Sequence, residues 1–160
     1  VEMDLDTVLQ TSETLLQPLA ESMNRPEPNR LDVVVIPENL VEAVKILVDN
    51  HWGYLATISG LDHPAAVEEG AEPDGTLEAI YHFCEGPAVT SLRVSVPYAN
   101  PVIPTICELV PVATLFEREL MELFGIVCEG TPTTDHLILP EGWPEGVYPL
   151  RKSFTGFSQS

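Results

Sequence analysis

Residues 76–97 read TLEAIYHFCEGPAVTSLRVSVP. Apolar and polar positions alternate along both halves of this stretch. Leu77, Ala79, Tyr81 and Phe83 share a face in the first half; Leu92, Val94 and Val96 share one in the second. Successive side chains of a strand point to opposite faces, so each half reads as a strand with one buried face. Glu85–Ala88, containing Gly86 and Pro87, separates the halves with turn chemistry, and the two pair as a hairpin.

Working upstream, Leu31–Ile36 is a short β-branched run and a buried strand. Pro37 and Glu38 open a helix, since proline fits the first turn and an acid suits the positive end of the dipole. That helix buries Leu40, Val41, Val44, Leu47 and Val48 and ends near Asn50–Gly53. Tyr54–Gly60 is a second strand, and Leu61–Gly75, polar and rich in Ala, Pro and Gly, is a mobile loop. The order β-α-β followed by an antiparallel meander implies an α+β fold, a mixed sheet with helices packed on one face. Ahead of it, Asp4–Met23 carries Leu5, Val8, Leu9, Leu15, Leu16 and Leu19 at helical spacing, with an interruption expected near Thr11–Ser12. Asn24–Asn29, with two prolines, reads as a linker.

Downstream, Asn100–Pro104 must be extended, and Thr105–Leu109 has room for one helical turn before Pro111. Leu115–Phe124 is the best-defined helix. Thr114 and Glu117 have capping-box spacing at its start, and Gly125 supplies a left-handed stop. Beyond Ile126 the chain is irregular, with Pro132, Pro140, Pro144 and Pro149. The expected organisation is an α+β domain over 1–126 and an extended, proline-rich docking tail over 127–160.

Composition removes several classes of function. The chain has 160 residues, 44% of them hydrophobic, enough for one domain with a real core. With 25 acidic and 7 basic residues the net charge is −18, a field that repels phosphate backbones and anionic membranes. The same acidity suits docking on basic partner surfaces. No apolar run approaches the roughly 18 residues of a membrane span, and acidic Val1–Asp6 is unlike a signal peptide, so a soluble, cytoplasmic protein is expected. Cys84, Cys107 and Cys128 lack CxxC spacing, and His51, His63, His82 and His136 lack metal-ligand spacing, so the cysteines read as small core residues and no metal is implied. No dinucleotide, phosphate-binding, serine-hydrolase or zinc-protease motif is present. His63 beside Asp62 reads as a loop turn, and neither Ser59 nor Ser91 has an identifiable base.

Two places can carry function. On the Leu115–Phe124 helix the apolar stripe is Val112, Leu115, Phe116, Leu120, Leu123 and Phe124, and Glu119 falls within it. A buried carboxylate needs a partner. Glu119 is thus part of a buried ion pair, a carboxylate offered to another subunit, or a general acid or base. Arg118 projects about 100° away round the helix and more naturally approaches Glu122. The second place is Glu141–Phe154, EGWPEGVYPLRKSF, where Trp143, Tyr148 and Phe154 interleave with Arg151 and Lys152. The basic pair either meets the domain's own carboxylates or belongs to an arm with aromatic and arginine anchors.

The string ERELMELFGI at Glu117–Ile126, followed by EGTP, LILPEGW and YPLRKSF, resembles the 30-kDa subunit family of respiratory complex I, which includes related subunits of membrane-bound, energy-converting NiFe hydrogenases. The family motif runs ERE-x-x-D-x-FGI, then G-H-P, basic residues, LMP-E-D-W and PLRKDF. Glu117, Arg118, Glu119, Phe124, Gly125 and Ile126 match it, with Glu122 in the place of the Asp. Gly130, Pro132, Pro140, Glu141, Trp143, Pro149, Leu150, Arg151, Lys152 and Phe154 match as well. Thr131 stands where the family has His, Asp135 and His136 where it has a basic pair, and Ser153 where it has Asp. The form WPEGVYPLRK is more like the hydrogenase and formate-hydrogenlyase branch.

The resemblance implies a non-catalytic subunit of a peripheral arm, on the cytoplasmic side of the cell membrane, without a redox centre of its own. It implies a large, hydrogenase-like (49-kDa-type) partner along which the C-terminal tail runs. Iron–sulfur clusters, and in some branches NiFe, reside in partner subunits, and the assembly couples electron transfer to ion translocation. Glu117, Arg118, Glu119, Glu122, Trp143, Tyr148, Arg151, Lys152 and Phe154 are the candidate interface residues. The alternatives are a free-standing acidic binding module and a hydrolase using Glu119.

Overall fold

The computed structural model describes residues 4–157. Helix α1 (Leu5–Leu16) starts at Asp4, whose carboxylate accepts the Thr7 amide. It runs unbroken through Thr11 and Ser12, in place of the expected interruption. Both hydroxyls turn back onto main-chain carbonyls, of Thr7 and Leu9, and Ser12 also meets Thr90 of the sheet at 2.8 Å. Pro18 ends the helix through a 3-10 turn, Gln17–Leu19.

The expected linker is a strand, β1 (Ser22–Glu27), paired antiparallel with β2 (Arg30–Val34). A proline inside a strand is tolerated at a sheet edge, where one side of the backbone needs no partner, and β1 is such an edge. Pro37–Asn39 form a 3-10 turn rather than the first turn of the following helix, α2 (Leu40–Asp49). Ala43 takes the core position expected for Val41, which is exposed. Strand β3 (Tyr54–Pro64) is longer than expected, as is β4 (Gly75–Glu85), leaving only 65–74 as loop. Polar Asp62 and His63 are in the strand, each with a partner, rather than in a turn. β5 (Ala88–Pro97) completes the hairpin read from the alternation.

Sheet order is β1-β2-β5-β4-β3. β2 and β5 are parallel and the other pairs antiparallel, so the sheet is mixed, as expected of the α+β reading. One face is apolar: Leu77, Ala79, Tyr81, Leu92, Val94 and Val96 are buried there in one core with Leu9, Leu16, Leu40, Leu47, Leu120 and Phe124 from the three helices. A second, two-stranded sheet pairs β6 (Val102–Pro104) with β7 (Val127–Glu129), one on each side of helix α3 (Ala113–Phe124) in the chain. The chain is thus ordered into a strand just past Ile126, in place of the expected irregular structure.

The other face of the main sheet is polar. Asp32 accepts from Arg30 and Arg93 at 2.6 and 2.9 Å, and Glu78 accepts from Arg93 and lies 2.7 Å from His63. His82 sits between Ser59 and Ser91, its ring nitrogens at 3.0 and 2.9 Å from their hydroxyls, which supplies both serines with a partner invisible in the sequence. Burial and the neighbouring Arg30 hold His82 below its ordinary value. Among the described residues no carboxylate is hydrogen-bonded to either nitrogen, so a neutral ring bridging two hydroxyls is a structural tie rather than a nucleophile–base pair. Among the described residues no helix is long and apolar enough to cross a membrane.

Candidate interaction site on helix α3 and the C-terminal segment

Helix α3 begins at Ala113, with Val112 as its cap and no side-chain cap bond. The Thr114–Glu117 capping box does not form. Glu117 instead turns inward and is fully buried, accepting hydrogen bonds from Thr105 Oγ1 (2.7 Å), the Ile106 amide (2.9 Å) and Cys107 Sγ (3.1 Å). The turn before the helix brings three donors to one carboxyl group, and a buried polar group is tolerated where its hydrogen-bonding capacity is met. Thr114 Oγ1 is left buried with no partner among the described residues. Burial raises the thiols of Cys107 and Cys128, and Glu117 adds to the effect on each, so both are protonated core residues.

The buried face of α3 is therefore Ala113, Glu117, Leu120 and Phe124, with Glu122 beside it. Val112 and Leu115, expected in the stripe, face solvent at 48% and 42% exposure. This rotation moves Glu119 out of the core to a half-buried position. It lines a groove with Ile58, Gly60, Leu123, Phe124 and Leu150. Among the described residues it has no hydrogen-bond or ion-pair partner.

Arg118 and Glu122 do not pair with one another. Both grip the main chain of the C-terminal segment, one at its carbonyls and the other at its amides. Arg118 donates to the carbonyls of Asp135 and His136 at 2.8 and 2.9 Å. Glu122 accepts the amides of Leu137, Ile138 and Leu139 at 3.1, 2.7 and 3.3 Å. A carboxylate filled by three successive amides needs no cation.

Further along, the segment is fastened at the end of α3. The Leu150 amide donates to Leu123 O and Arg151 Nε to Phe124 O at 2.7 Å, satisfying carbonyls that the helix leaves open. The Arg151 guanidinium lies 5.0 Å from the Tyr98 ring centroid and 4.8 Å from that of Tyr148. Gly125 adopts φ 78°, the left-handed stop expected there. A Cβ at this position would also lie 2.5 Å from the Tyr148 ring, so glycine is required for close approach as well. Asp62 accepts from the Tyr98 hydroxyl and the Lys152 amide; burial and then Asp62 push the Tyr98 phenol up to about 12. The side chain of Lys152 is exposed. Trp143 donates to Val147 O and forms an aromatic cluster with Phe154 and Phe157, at centroid distances of 6.1 and 5.2 Å.

The structure thus gathers Arg118, Glu122, Tyr148 and Arg151 into the joint between α3 and the segment, while Lys152 is exposed and Glu119, Trp143 and Phe154 are half-buried. Asp62, Tyr98 and Thr105 also belong to the joint, and nothing in the sequence alone places them there. A tyrosine at the close of an alternating run is the available signal for one; the partners of the other two are distant in sequence.

The chain matches the family described as "Respiratory-chain NADH dehydrogenase, 30 Kd subunit" over residues 33–160. It is 37% identical over 120 residues to the membrane-bound hydrogenase subunit beta of Pyrococcus furiosus, covering 71% of this chain and 69% of the relative. It is 28% identical over 158 residues to a subunit of the F(420)H(2) dehydrogenase of Methanosarcina mazei, covering 97% and 94%. The fold is similar to that of the trypsin-resistant fragment (1-134) of Nqo5, with a TM-score of 0.62 at 27% identity over 82% of this chain and 99% of that one. A chain of the membrane-bound sulfane sulfur reductase, an archaeal respiratory membrane complex, shares the fold at a TM-score of 0.67 and 20% identity, covering 93% and 84%. On this match and these identities, the chain belongs to the respiratory-chain NADH dehydrogenase 30 Kd subunit family.

Proposed function

We propose that this chain is a non-catalytic structural subunit of the peripheral arm of a complex I-like, membrane-bound oxidoreductase, of the NADH:quinone or energy-converting hydrogenase type. It docks on a large, hydrogenase-like subunit, carries no redox cofactor itself, and sits at the cytoplasmic side of the membrane with iron–sulfur subunits beside it. Relatives that are named subunits of such enzymes support the reading.

The observation that carries it is how the C-terminal segment is held. Arg118, Glu122, Leu123 and Phe124 fasten it largely through its main chain. Four of its apolar side chains are turned outward: Leu137, Ile138, Leu150 and Phe157 are 41%, 57%, 52% and 57% exposed. Exposed apolar and aromatic groups on an anchored main chain are the kind of surface that a partner completes.

The test is affinity purification through a tag on this chain, with subunits identified by mass spectrometry. A large hydrogenase-like subunit and iron–sulfur subunits are expected to co-purify, and deletion of Trp143–Ser160 is expected to abolish the association. A truncated chain that joins the assembly with unchanged affinity rules out the docking segment. Iron, nickel or flavin retained by the isolated chain in elemental analysis and absorbance rules out the cofactor-free role.

A further inference from the structure

Strand β3 forms the outer edge of the main sheet and pairs with β4 on one side only. Among the described residues no main-chain hydrogen bond joins its other side to anything. The opposite edge is guarded: β1 is six residues long, holds Pro26, and slips register against β2 between Asn24 and Glu27. Short length, proline and irregular register are the means by which proteins keep an edge from pairing with another chain. β3 runs for eleven residues, and past one irregularity at Leu55–Thr57 its register with β4 is regular. Thr57–His63 contains neither proline nor lysine, and its two polar end residues, Asp62 and His63, are engaged inside the molecule by Tyr98 and Glu78.

Beside this unguarded stretch, on the helix-bearing face, lies the groove of Ile58, Gly60, Leu123, Phe124 and Leu150, with the unpaired Glu119 in its wall. We propose that Thr57–His63 receives a β-strand from the docking partner, a deepening that rests on the proposed function above. The incoming strand sets an apolar side chain in the groove and a Lys or Arg against Glu119. Alternate residues of a strand share a face and lie about 7 Å apart, so the recognised pattern is apolar-x-basic. Charge selects the occupant. A second copy of this chain brings another −18 to the edge, whereas a basic strand neutralises Glu119 and reduces the field.

Hydrogen–deuterium exchange of the full chain alone, and of the same chain within the assembly purified through it, tests the proposal. The outward-facing amides of Thr57–His63, those not bonded to β4, are expected to exchange at least about tenfold more slowly in the assembly, with Ser22–Glu27 unchanged. Glu119→Lys in the full chain is expected to weaken the association about tenfold while leaving the melting temperature of the isolated chain in place. Unchanged exchange at β3 in an assembly that contains the redox subunits overturns the strand and leaves the docking reading standing. Absence of any redox subunit overturns the docking reading and the strand with it. A concentration-dependent dimer of the isolated chain, with β3 protected, overturns the assignment to a basic partner. Should Glu119→Lys fail to fold, the exchange measurement on the unsubstituted chain decides alone.

Discussion

Glu117 shows how little the type of a residue says about its role. It is one of three glutamates on α3, and only it is enclosed completely, held by hydroxyl, amide and thiol donors rather than by a cation. Glu117→Ala leaves the buried Ile106 amide and the half-buried Thr105 hydroxyl without an acceptor, at a cost of about 3 kcal/mol. Glu117→Gln keeps one acceptor and costs less. Urea unfolding measures both, and an alanine variant with an unshifted midpoint shows that the cluster does not support the fold. Glu78 makes a prediction in pH. Burial pushes its carboxyl up, but the hydrogen bonds from Arg93 and His63 outweigh that and hold it below its ordinary 4.5. Its folded-state value is depressed, so its contribution is complete above pH 4.5 and is lost as the pH falls through the lower folded value. Glu78→Gln is expected to flatten the acid limb of stability measured by urea midpoints from neutral pH downward. An acid limb identical to that of the parent chain refutes it.

At the scale of elements, the alternating hairpin β4–β5 and the stop at Gly125 are legible in the sequence because both follow from local chemistry: a period of two, and a backbone angle that glycine alone adopts cheaply. The same locality explains the errors. Asn24–Asn29 reads as a linker because two prolines outweigh a strand signal that exists only in pairing with β2. The Thr114–Glu117 spacing suggests a capping box, but a stronger set of donors in Thr105–Cys107 captures the carboxylate. Gly125→Ala meets both the left-handed angle and the Tyr148 ring, and is expected to destabilise the chain by about 1–3 kcal/mol. It should release the joint, so limited trypsin digestion after Arg151 and Lys152 accelerates. A variant with the parent's melting point and digestion rate shows that the close approach is dispensable.

For the whole molecule, the asymmetry is between a covered and an open side. Three helices cover the apolar face of the sheet, the charge-balanced ladder from Arg30 to His63 occupies the other face, and Leu115 of α3 with Leu137, Ile138, Leu150 and Phe157 after it are exposed. A chain of net charge −18 that binds a basic surface does so in a salt-dependent way. Raising ionic strength from about 0.1 M to about 1 M shortens the screening length from about 10 Å to about 3 Å. Association with the partner is expected to slow accordingly, while dissociation, governed by the apolar contacts, changes little. Surface plasmon resonance separates the two rates, and a salt-independent association rate excludes electrostatic steering.

The sequence by itself determined the order of strands and helices around the hairpin, the end of α3, and the family to which the last third of the chain points. Periodicity, turn chemistry and a contiguous motif are all properties of neighbours in the chain. Tertiary structure alone decided which of Glu117, Glu119 and Glu122 is buried, that Arg118 and Glu122 hold main chain instead of each other, and that Asp62 and Tyr98 anchor the segment at Arg151 and Lys152. Those outcomes depend on the rotation of one helix against β3 and on donors that arrive from as far as ninety residues away. A one-dimensional pattern carries neither.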